Sequence, residues 1–116
     1  MNWKLLLFFV VAVSLISVAY AQTGHMKLLA VSETKEGYSG ITADLYLKVE
    51  PGSGKVFIES FPLTKMDTQI STRFAKETAC YELEMDCDKY DFFYTVNADT
   101  ALIGGPSAGA AAAVLT

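Results

Sequence analysis

Two short runs on either side of a Pro-Gly turn decide the fold of this chain. Ile41 to Glu50 reads Ile-Thr-Ala-Asp-Leu-Tyr-Leu-Lys-Val-Glu, in which apolar and polar side chains alternate. Such alternation is typical of a strand with one buried face. Pro51-Gly52-Ser53-Gly54 is a turn cluster, and Lys55 to Glu59 reads Lys-Val-Phe-Ile-Glu, a second strand. The sequence therefore predicts that these two strands pair as a β-hairpin.

Three further segments have simple patterns. Met26 to Ser32 is a short apolar run that suits a buried strand, whereas Glu33 to Gly40 is polar, contains two glycines and predicts a loop. Tyr90 to Val96 is rich in aromatic residues, which favour strands. The first and the last of these segments bring the number of predicted strands to four.

Two helices are predicted in the second half of the chain. Asp67 or Thr68 can cap a helix that runs to about Leu83. Its spacing assigns four side chains to the inner face: Ile70, Phe74, Ala75 and Tyr81. A last helix begins near Ser107.

The order of the predicted elements, β–β–β–α–β–α, indicates the fold class. It is that of an α/β or α+β domain built from layers of sheet and helix. The 116 residues suffice for one domain and not for two. We assign residues 26–116 to that domain.

The N-terminal segment differs in composition from the rest. Lys4 gives a basic start, Leu5 to Val18 is an almost unbroken apolar run, and Ala19-Tyr20-Ala21 fits the small-x-small rule before a cleavage point. This pattern predicts a signal peptide over residues 1–21, cut after Ala21. The apolar run is short for a membrane span, which needs about 20 residues. An uncleaved membrane anchor is the alternative, and in both cases the domain is exported, either extracellular or anchored and facing outside.

The charge balance excludes one class of partner. The net charge of −4 leaves no basic patch that could release counterions from phosphates, so we expect no nucleic acid partner. Acidic residues concentrate in one stretch, namely Glu82, Glu84, Asp86, Asp88 and Asp91. Their spacing is not that of an EF-hand loop. We interpret the stretch as a solvated turn, with a cation site as the alternative.

Pro51-Gly52-Ser53-Gly54-Lys55 resembles a nucleotide-binding loop only superficially. The Walker loop is GxxxxGK[ST], but here Val49 occupies the position of the first glycine and Val56 follows the lysine. The segment also joins two predicted strands, whereas a Walker loop opens a helix. The sequence therefore predicts no ATP-binding module and no cofactor.

Cys80 and Cys87 lie in the part of the chain predicted to be exported, where a disulfide can form. Residues seven apart on one straight helix are about 10 Å apart, beyond the ~7 Å limit for a bridge. A bridge therefore requires the helix to end between them, and two free buried thiols are the alternative.

The sequence has no CxxC and no Cys/His cluster, and its lone His25 lies next to the predicted cleavage site, so we expect no metal site.

Ser107 is the residue whose setting points most directly to catalysis. It follows Gly104-Gly105-Pro106 and precedes Ala108, Gly109 and a run of alanines. Glycines permit a sharp bend, and the free N–H groups at a helix start favour a developing oxyanion. A serine nucleophile also needs a base, and no lysine follows Ser107. None of the upstream lysines lies in an apolar setting that would activate an amine: Lys27, Lys35, Lys48, Lys55, Lys65, Lys76 and Lys89.

Gly105-Pro106-Ser107-Ala108-Gly109 resembles the active-site motif of the Lon-type serine peptidases, which use a Ser–Lys dyad. The resemblance extends to the segments before the motif. The proteolytic domain of that family has a strand, a Pro-Gly turn and a second strand, here Leu45 to Val56. A helix follows, here around Met66 to Leu83, and then an Asp-led strand, here Asp91 to Val96. Order and approximate spacing agree from about Met26 to Thr116.

The resemblance implies a Lon-like arrangement of sheet and helix layers, of the ribosomal protein S5 domain 2-like type. It implies that Ser107 is the nucleophile and that backbone N–H groups of the active-site loop stabilise the oxyanion. That loop comprises Gly105, Pro106, Ala108 and Gly109. Members of the family cleave unfolded or loosely folded polypeptides and commonly form hexameric rings. A polypeptide substrate and a homo-hexamer are therefore implied.

Two departures from the family pattern limit what carries over. The family has Pro-Lys-Asp before the glycine of the motif, whereas this chain has Leu102-Ile103-Gly104. The catalytic lysine of the family lies downstream of the serine, which here means beyond Thr116. We therefore expect the chain to be the N-terminal part of a Lon-like serine endopeptidase domain, with no ATPase module and inactive on its own.

Two other functions remain open at this point. The first is an exported binding or structural domain of the same fold without catalysis, which the missing lysine and the altered loop favour. The second is a signal-bearing protein with a disordered alanine-rich tail, which composition alone favours. The Ser107→Ala substitution in the full-length protein separates a peptidase from the first, and protection of the tail from proteases would count against the second.

Overall fold

The computed structural model describes residues 3–14, 21–61, 63–99 and 108–116. Its elements in chain order are helix α1 (Trp3–Ser14), strands β1 (Gln22–Thr34), β2 (Gly37–Pro51) and β3 (Val56–Phe61), helix α2 (Met66–Glu82), a 3-10 helix (Cys87–Lys89), strand β4 (Tyr90–Ala98) and helix α3 (Ala108–Leu115). From β1 onward the main elements follow the predicted order β–β–β–α–β–α. The mixed α+β class is therefore confirmed.

The four described strands form one mixed sheet in the order β1-β2-β4-β3. β2 is antiparallel to β1 and to β4, whereas β3 is parallel to β4. The predicted hairpin between β2 and β3 is therefore wrong, because β4 lies between them. The N–H groups of Gly52 and Gly54 donate to the carbonyls of Lys89 and Tyr90 at 2.8 and 3.0 Å. The turn after β2 thus binds the segment that leads into β4.

The hairpin of this sheet consists of β1 and β2. Their pairing continues to Thr34 opposite Gly37, and only Lys35 and Glu36 form the turn. The predicted loop over residues 33–40 is therefore wrong. Gly37 has a φ of +127°, a conformation that L-residues rarely adopt and that lets the strands reverse in so short a turn.

One face of the sheet and the two helices α2 and α3 enclose the core. The buried residues of the sheet occupy alternate positions along their strands, as the pleat requires: Leu28, Ala43, Leu45, Leu47, Phe92, Tyr94 and Val96. Burial raises the pKa of Tyr94, whose hydroxyl shares a 2.6 Å hydrogen bond with Oγ1 of Thr116. The opposite face of the sheet exposes Tyr46 and Phe57.

Helix α2 presents small side chains to the core and large ones to solvent. Its buried residues are Thr68, Thr72, Ala75, Lys76, Ala79 and Cys80. Of the four residues predicted for its inner face, Ala75 is buried, whereas Ile70, Phe74 and Tyr81 are exposed. That prediction is therefore wrong for the three large side chains. The sheet supplies the bulky core residues, among them Tyr94, and these fill the space that large helix residues would need.

The start of α2 also differs from the prediction, whereas its end agrees. The N-cap is Lys65, which makes no side-chain capping bond, so neither Asp67 nor Thr68 caps the helix. The Asp67 carboxylate instead accepts the N–H of Thr68 at 2.8 Å within the first turn, where the helix dipole favours negative charge. The C-cap is Leu83.

A disulfide joins Cys80, near the end of α2, to Cys87 in the 3-10 helix. The two Cα atoms are 5.9 Å apart, and α2 ends at Glu82 between them, which satisfies the geometric condition set by the sequence. Glu84 has a φ of 52°, and the N–H of Met85 donates to the carbonyl of Cys80 at 3.0 Å. The chain thus reverses within this loop and returns toward β4.

The predicted signal segment is described only in part. Helix α1 covers 12 of its residues and exposes large apolar side chains, including Trp3, Phe8 and Phe9. Residues 15–20, which precede the predicted cleavage site, lie outside the described residues. Among the helices that the structure describes, none combines the length and apolar character needed to cross a membrane.

Candidate active site

The predicted motif lies at the N-terminal end of helix α3. Gly105, Pro106 and Ser107 are outside the described residues, whereas Ala108 and Gly109 are the first two residues of α3. Position 107 therefore directly precedes the helix. The first N–H groups of a helix have no acceptor within it. An oxyanion next to this end of α3 would meet free N–H donors and the positive end of the helix dipole.

Helix α3 lies close against α2 because its residues are small. A Cβ atom at Gly109 would be 3.2 Å from the Cβ of Ser71, which is tighter than ordinary contact. Ala112 is fully buried, and Ser71 Oγ donates to the carbonyl of Asp67 at 2.8 Å, so this hydroxyl is used within α2. The alternative of a disordered alanine-rich tail does not hold for residues 108–115, which form this packed helix.

The other end of α3 is tied to the sheet. The N–H and Oγ1 of Thr116 both donate to the carbonyl of Ala112, at 2.9 and 2.7 Å, and Oγ1 also bonds the hydroxyl of Tyr94. Leu115 packs over Gly24 of β1, where a Cβ atom would come within 2.7 Å of Leu115 Cδ1. These contacts hold α3 on the core face of the sheet.

The described lysines form their ion pairs elsewhere. Lys27 bonds Asp44 at 2.8 Å, and Lys89 bonds Asp86 at 2.9 Å. Within the described ranges, no hydrogen bond or ion pair joins a lysine to α3. Among the described residues, the structure therefore shows no lysine bonded to the helix that follows position 107.

Lys76 is a buried cation that sequence inspection missed. The residue is 5% exposed, and its Nζ lies 3.0 Å from Glu77 Oε1, 3.9 Å from Asp88 Oδ1 and 5.9 Å from the ring centre of Phe92. The structure does not contradict the expectation that no upstream lysine lies in an apolar setting, because the Nζ of this buried lysine faces two carboxylates. No local signal in the sequence marks this position, because the burial of the side chain depends on how α2 packs on the sheet. The carboxylates balance its charge, as a buried cation requires.

The three aspartates of the acidic stretch, Asp86, Asp88 and Asp91, have structural partners. Oδ1 of Asp91 accepts the N–H groups of Ser53 and Lys55 at 2.8 and 2.9 Å, and these bonds hold the pKa of Asp91 below its ordinary range. The hydrogen bond from Lys89 likewise lowers the pKa of Asp86. In the residues that the structure describes, no group of three His, Cys, Asp or Glu side chains is placed to hold a metal ion.

His25 lies on the sheet face opposite to α3. Its neighbour Gly24 contacts Leu115 of α3, and successive residues of a strand point to opposite faces. The Nε2 atom of His25 lies 2.7 Å from Asp44 Oδ1, and its ring stacks on Tyr46 at 4.5 Å. The bond from Lys27 and then that from His25 lower the pKa of Asp44. His25 is therefore no base for a serine at the start of α3.

A cavity of about 240 Å³ lies at the C-terminal end of α3. It is lined mostly by apolar side chains around the disulfide: Gln22, Val49, Pro51, Ala79, Cys80, Leu83, Met85, Cys87, Tyr90, Phe92 and Thr116. The eight residues of α3 span about 12 Å. The cavity and the predicted nucleophile are therefore at opposite ends of this helix, and we do not assign the cavity to the serine site.

No protein-family model matches this chain, and no curated protein matches it. Functional assignment therefore depends on the residues themselves. The features that bear on it are the motif before α3, the packing that holds α3 in place, and the disulfide.

Proposed function

We propose that this chain carries the serine half of a Lon-type Ser–Lys peptidase site, on a domain of the ribosomal protein S5 domain 2-like type. The supporting observation is that Gly105-Pro106-Ser107-Ala108-Gly109 runs directly into α3, which begins at Ala108. A serine at this position adjoins the free N–H donors of the helix. Such preorganised donors are usually the largest single contribution to acyl-transfer catalysis.

The packing of α3 against α2 explains why the motif has a glycine at position 109. Gly109 faces Ser71 so closely that a side chain at this position would push α3 away from α2. A glycine here thus keeps the helix that follows the serine in its place. The order of the elements from β1 to α3 also agrees with the order inferred for the family.

In the proposed reaction, Ser107 Oγ attacks the carbonyl carbon of a peptide bond while a neutral lysine amine accepts the hydroxyl proton. N–H groups of the loop over residues 105–109 stabilise the tetrahedral oxyanion. Its collapse expels the peptide amine, which takes the proton from the lysine, and water then hydrolyses the acyl-enzyme. By the resemblance, the lysine belongs to sequence beyond Thr116. The proposed substrates are unfolded or loosely folded polypeptides, and the proposed assembly is a hexamer.

The disulfide supports a location outside the cytoplasm. Disulfides form and persist in oxidising compartments, and Cys80 and Cys87 are joined here. The leader-like pattern over residues 1–21 agrees with export. We propose that the domain is secreted or anchored with its folded part outside.

A non-catalytic exported domain is the second candidate function. It is favoured by the ion pairs of the described lysines, which lie away from α3, and by Leu102-Ile103-Gly104 in place of the family's Pro-Lys-Asp. In that case the helices α2 and α3 serve only to cover the sheet.

The Ser107→Ala substitution tests the proposal. It is made in the longest polypeptide that the gene encodes, and hydrolysis of a fluorescently labelled unfolded polypeptide is measured. We expect a loss on the order of 10³-fold or more, because a dyad loses most of its rate when either member is removed. Ser71→Ala, beside Gly109, and Ser53→Ala, in the other glycine-flanked turn, are the matched controls and should retain activity.

Two results would favour the second candidate function. One is hydrolysis that Ser107→Ala leaves unchanged. The other is a coding sequence past Thr116 that contains no lysine in a helical segment.

A further inference from the structure

The outer face of α2 carries large apolar side chains that the fold leaves uncovered. Met66, Ile70, Phe74 and Tyr81 are 74, 47, 67 and 81% exposed. At about 100° per residue they fall within roughly 80° around the helix, so they form one stripe, the α2 ridge. The buried face of α2 lies on the other side of the helix. Contiguous apolar surface of this kind is uncommon on monomeric proteins and marks sites of interaction.

The α2 ridge is large enough for the centre of a protein interface. A Phe or Tyr side chain carries about 150–250 Å², so the four exposed side chains offer on the order of 500 Å². A standard interface takes about 800 Å² from each partner. Met85, which is half exposed, borders the same shallow groove as Tyr81 and extends the apolar surface beyond the end of α2.

Two opposite charges border the α2 ridge. Arg73 and Glu77 are exposed and lie one turn apart. Arg73 has no ion pair within the ranges that the structure describes. The Glu77 side chain is 69% exposed and accepts from Lys76 through Oε1, which leaves Oε2 for another donor. A cation and an anion along one edge of an apolar stripe are self-complementary when two such helices pair antiparallel.

We propose that the α2 ridge binds the α2 ridge of a second copy of this chain, in an antiparallel pair about a twofold axis. A register centred near residue 75 places Arg73 opposite Glu77 of the partner subunit. The same register places Ile70 opposite Tyr81 of the partner subunit, and Phe74 beside the axis. One register therefore satisfies the apolar and the ionic contacts together, and the twofold axis repeats each of them.

Other occupants of the α2 ridge match it less well. An anionic membrane surface would meet the carboxylates of Asp67 and Glu77 and a chain of net charge −4. A second copy instead supplies Arg73 against Glu77. The contact between two α2 ridges is isologous, whereas a cyclic hexamer of the kind proposed above is closed by heterologous contacts. The dimer therefore does not depend on the proposed peptidase function.

Sedimentation equilibrium of the full chain, in the form that an exporting host produces, tests the proposal. Concentrations from about 1 µM to 1 mM cover the Kd range expected for an interface of this size. We expect a monomer–dimer equilibrium, and Phe74→Glu should weaken it by on the order of 100-fold because it places a charge at the axis. Leu29→Glu is the matched control: Leu29 is 86% exposed on β1, away from the ridge. Thermal unfolding verifies that each variant is folded.

A charge swap tests the register. Arg73→Glu places a carboxylate opposite Glu77 of the partner subunit and should weaken association about tenfold. The double variant Arg73→Glu/Glu77→Arg restores the pair and should recover most of the affinity. The proposal is overturned by a chain that stays monomeric at 1 mM, by a dimer that Phe74→Glu leaves intact, or by a double variant as weak as Arg73→Glu alone. A ridge that binds lipid vesicles while the chain remains monomeric also overturns it.

Discussion

The two turns at the ends of β2 are held by different means. The turn before β2 has two residues, and its special feature is the φ of +127° at Gly37, where a Cβ atom would have no neighbour within 4 Å. The turn after β2, residues 52–55, wraps around the carboxylate of Asp91, which lies 38 residues beyond Ser53. The first turn depends on local backbone conformation, and the second depends on tertiary contact.

This difference explains the strand order. The Asp91 carboxylate holds the turn after β2 next to the start of β4, so β4 takes the place beside β2. A Cβ atom at Gly52 would lie only 2.2 Å from Asp91 Cγ, and Gly54 has a φ of +82°. The glycines of the turn are thus required by the carboxylate and by the backbone, and a phosphate is not needed to explain them.

Gly52→Ala should cause the largest loss of stability in this comparison. Its Cβ atom would overlap the Asp91 carboxylate and displace it from the N–H groups of Ser53 and Lys55. Overpacking of this kind costs about 1–3 kcal/mol. Urea unfolding followed by circular dichroism measures the change. A variant as stable as the wild type would mean that the turn moves independently of Asp91.

Asp91→Asn should have a smaller effect that depends on pH. The N–H of Ser53, and then that of Lys55, hold the native pKa of Asp91 below its ordinary value, so the native state binds fewer protons than the unfolded state on acidification. The stabilising contribution is therefore complete above the ordinary pKa of about 4 and is lost as the pH falls through the native pKa. Asparagine keeps an acceptor oxygen and removes the titration.

Urea unfolding of both proteins between pH 7 and pH 2 measures this effect. The wild type should be the more stable protein at pH 7, and the difference should shrink as the pH falls. Asp44 and Asp86, whose pKa values are also lowered, leave the variant with some acid sensitivity of its own. A stability difference that does not vary with pH would contradict a role for the Asp91 charge.

Gly37→Ala should have the smallest effect of the three, since it strains only the local turn. Alanine at a φ of +127° costs about 1–2 kcal/mol, without any overlap to add to it. Gly40→Ala is the matched control within β2, because Gly40 has no atom within 4 Å and no positive φ, and it should stay within about 0.5 kcal/mol of the wild type. Equal losses of stability in the two variants would mean that the strand is sensitive to a side chain at either position, and that the conformation of the turn is not the cause.

Local patterns predicted the elements of this fold well and their partners poorly. The alternation over residues 41–50 correctly indicated a half-buried strand, because alternation reflects the pleat of a single strand. The pairing of β2 with β4 depends on Asp91, far along the chain, and no local signal reveals it. The loop predicted over residues 33–40 failed because polar residues also form strands, as residues 37–40 of β2 do while exposed.

The faces of α2 show a second limit of pattern-based prediction. Helical spacing grouped Ile70, Phe74 and Tyr81, which do share a face, but it wrongly placed the buried Ala75 with them. It did not indicate that small residues and Lys76 would face the sheet, because that depends on how much of the core the strands fill with side chains such as Tyr94. Apolar spacing therefore identifies a face that needs a partner, without identifying the partner.

Two local features, the disulfide loop and the start of α3, were predictable in part. The end of α2 between Cys80 and Cys87 was set as the condition for a bridge, and the structure meets it. The helix after the motif was expected near Ser107 and begins at Ala108. The role of Ser107 remains a prediction, since it depends on a base that no local pattern in this chain supplies.

β4 is the last of the four described strands along the chain and an interior strand of their sheet. It pairs with β2 through Ala98 opposite Ala43, and with β3 through Phe92 opposite Val56. During synthesis β1 and β2 can pair as soon as they leave the ribosome, but β3 has no neighbour until β4 emerges. Closing such long loops costs entropy before the new contacts form. β3 and the hairpin of β1 and β2 are therefore joined in one late step, and until then the nascent chain exposes strand edges on which other chains can pair.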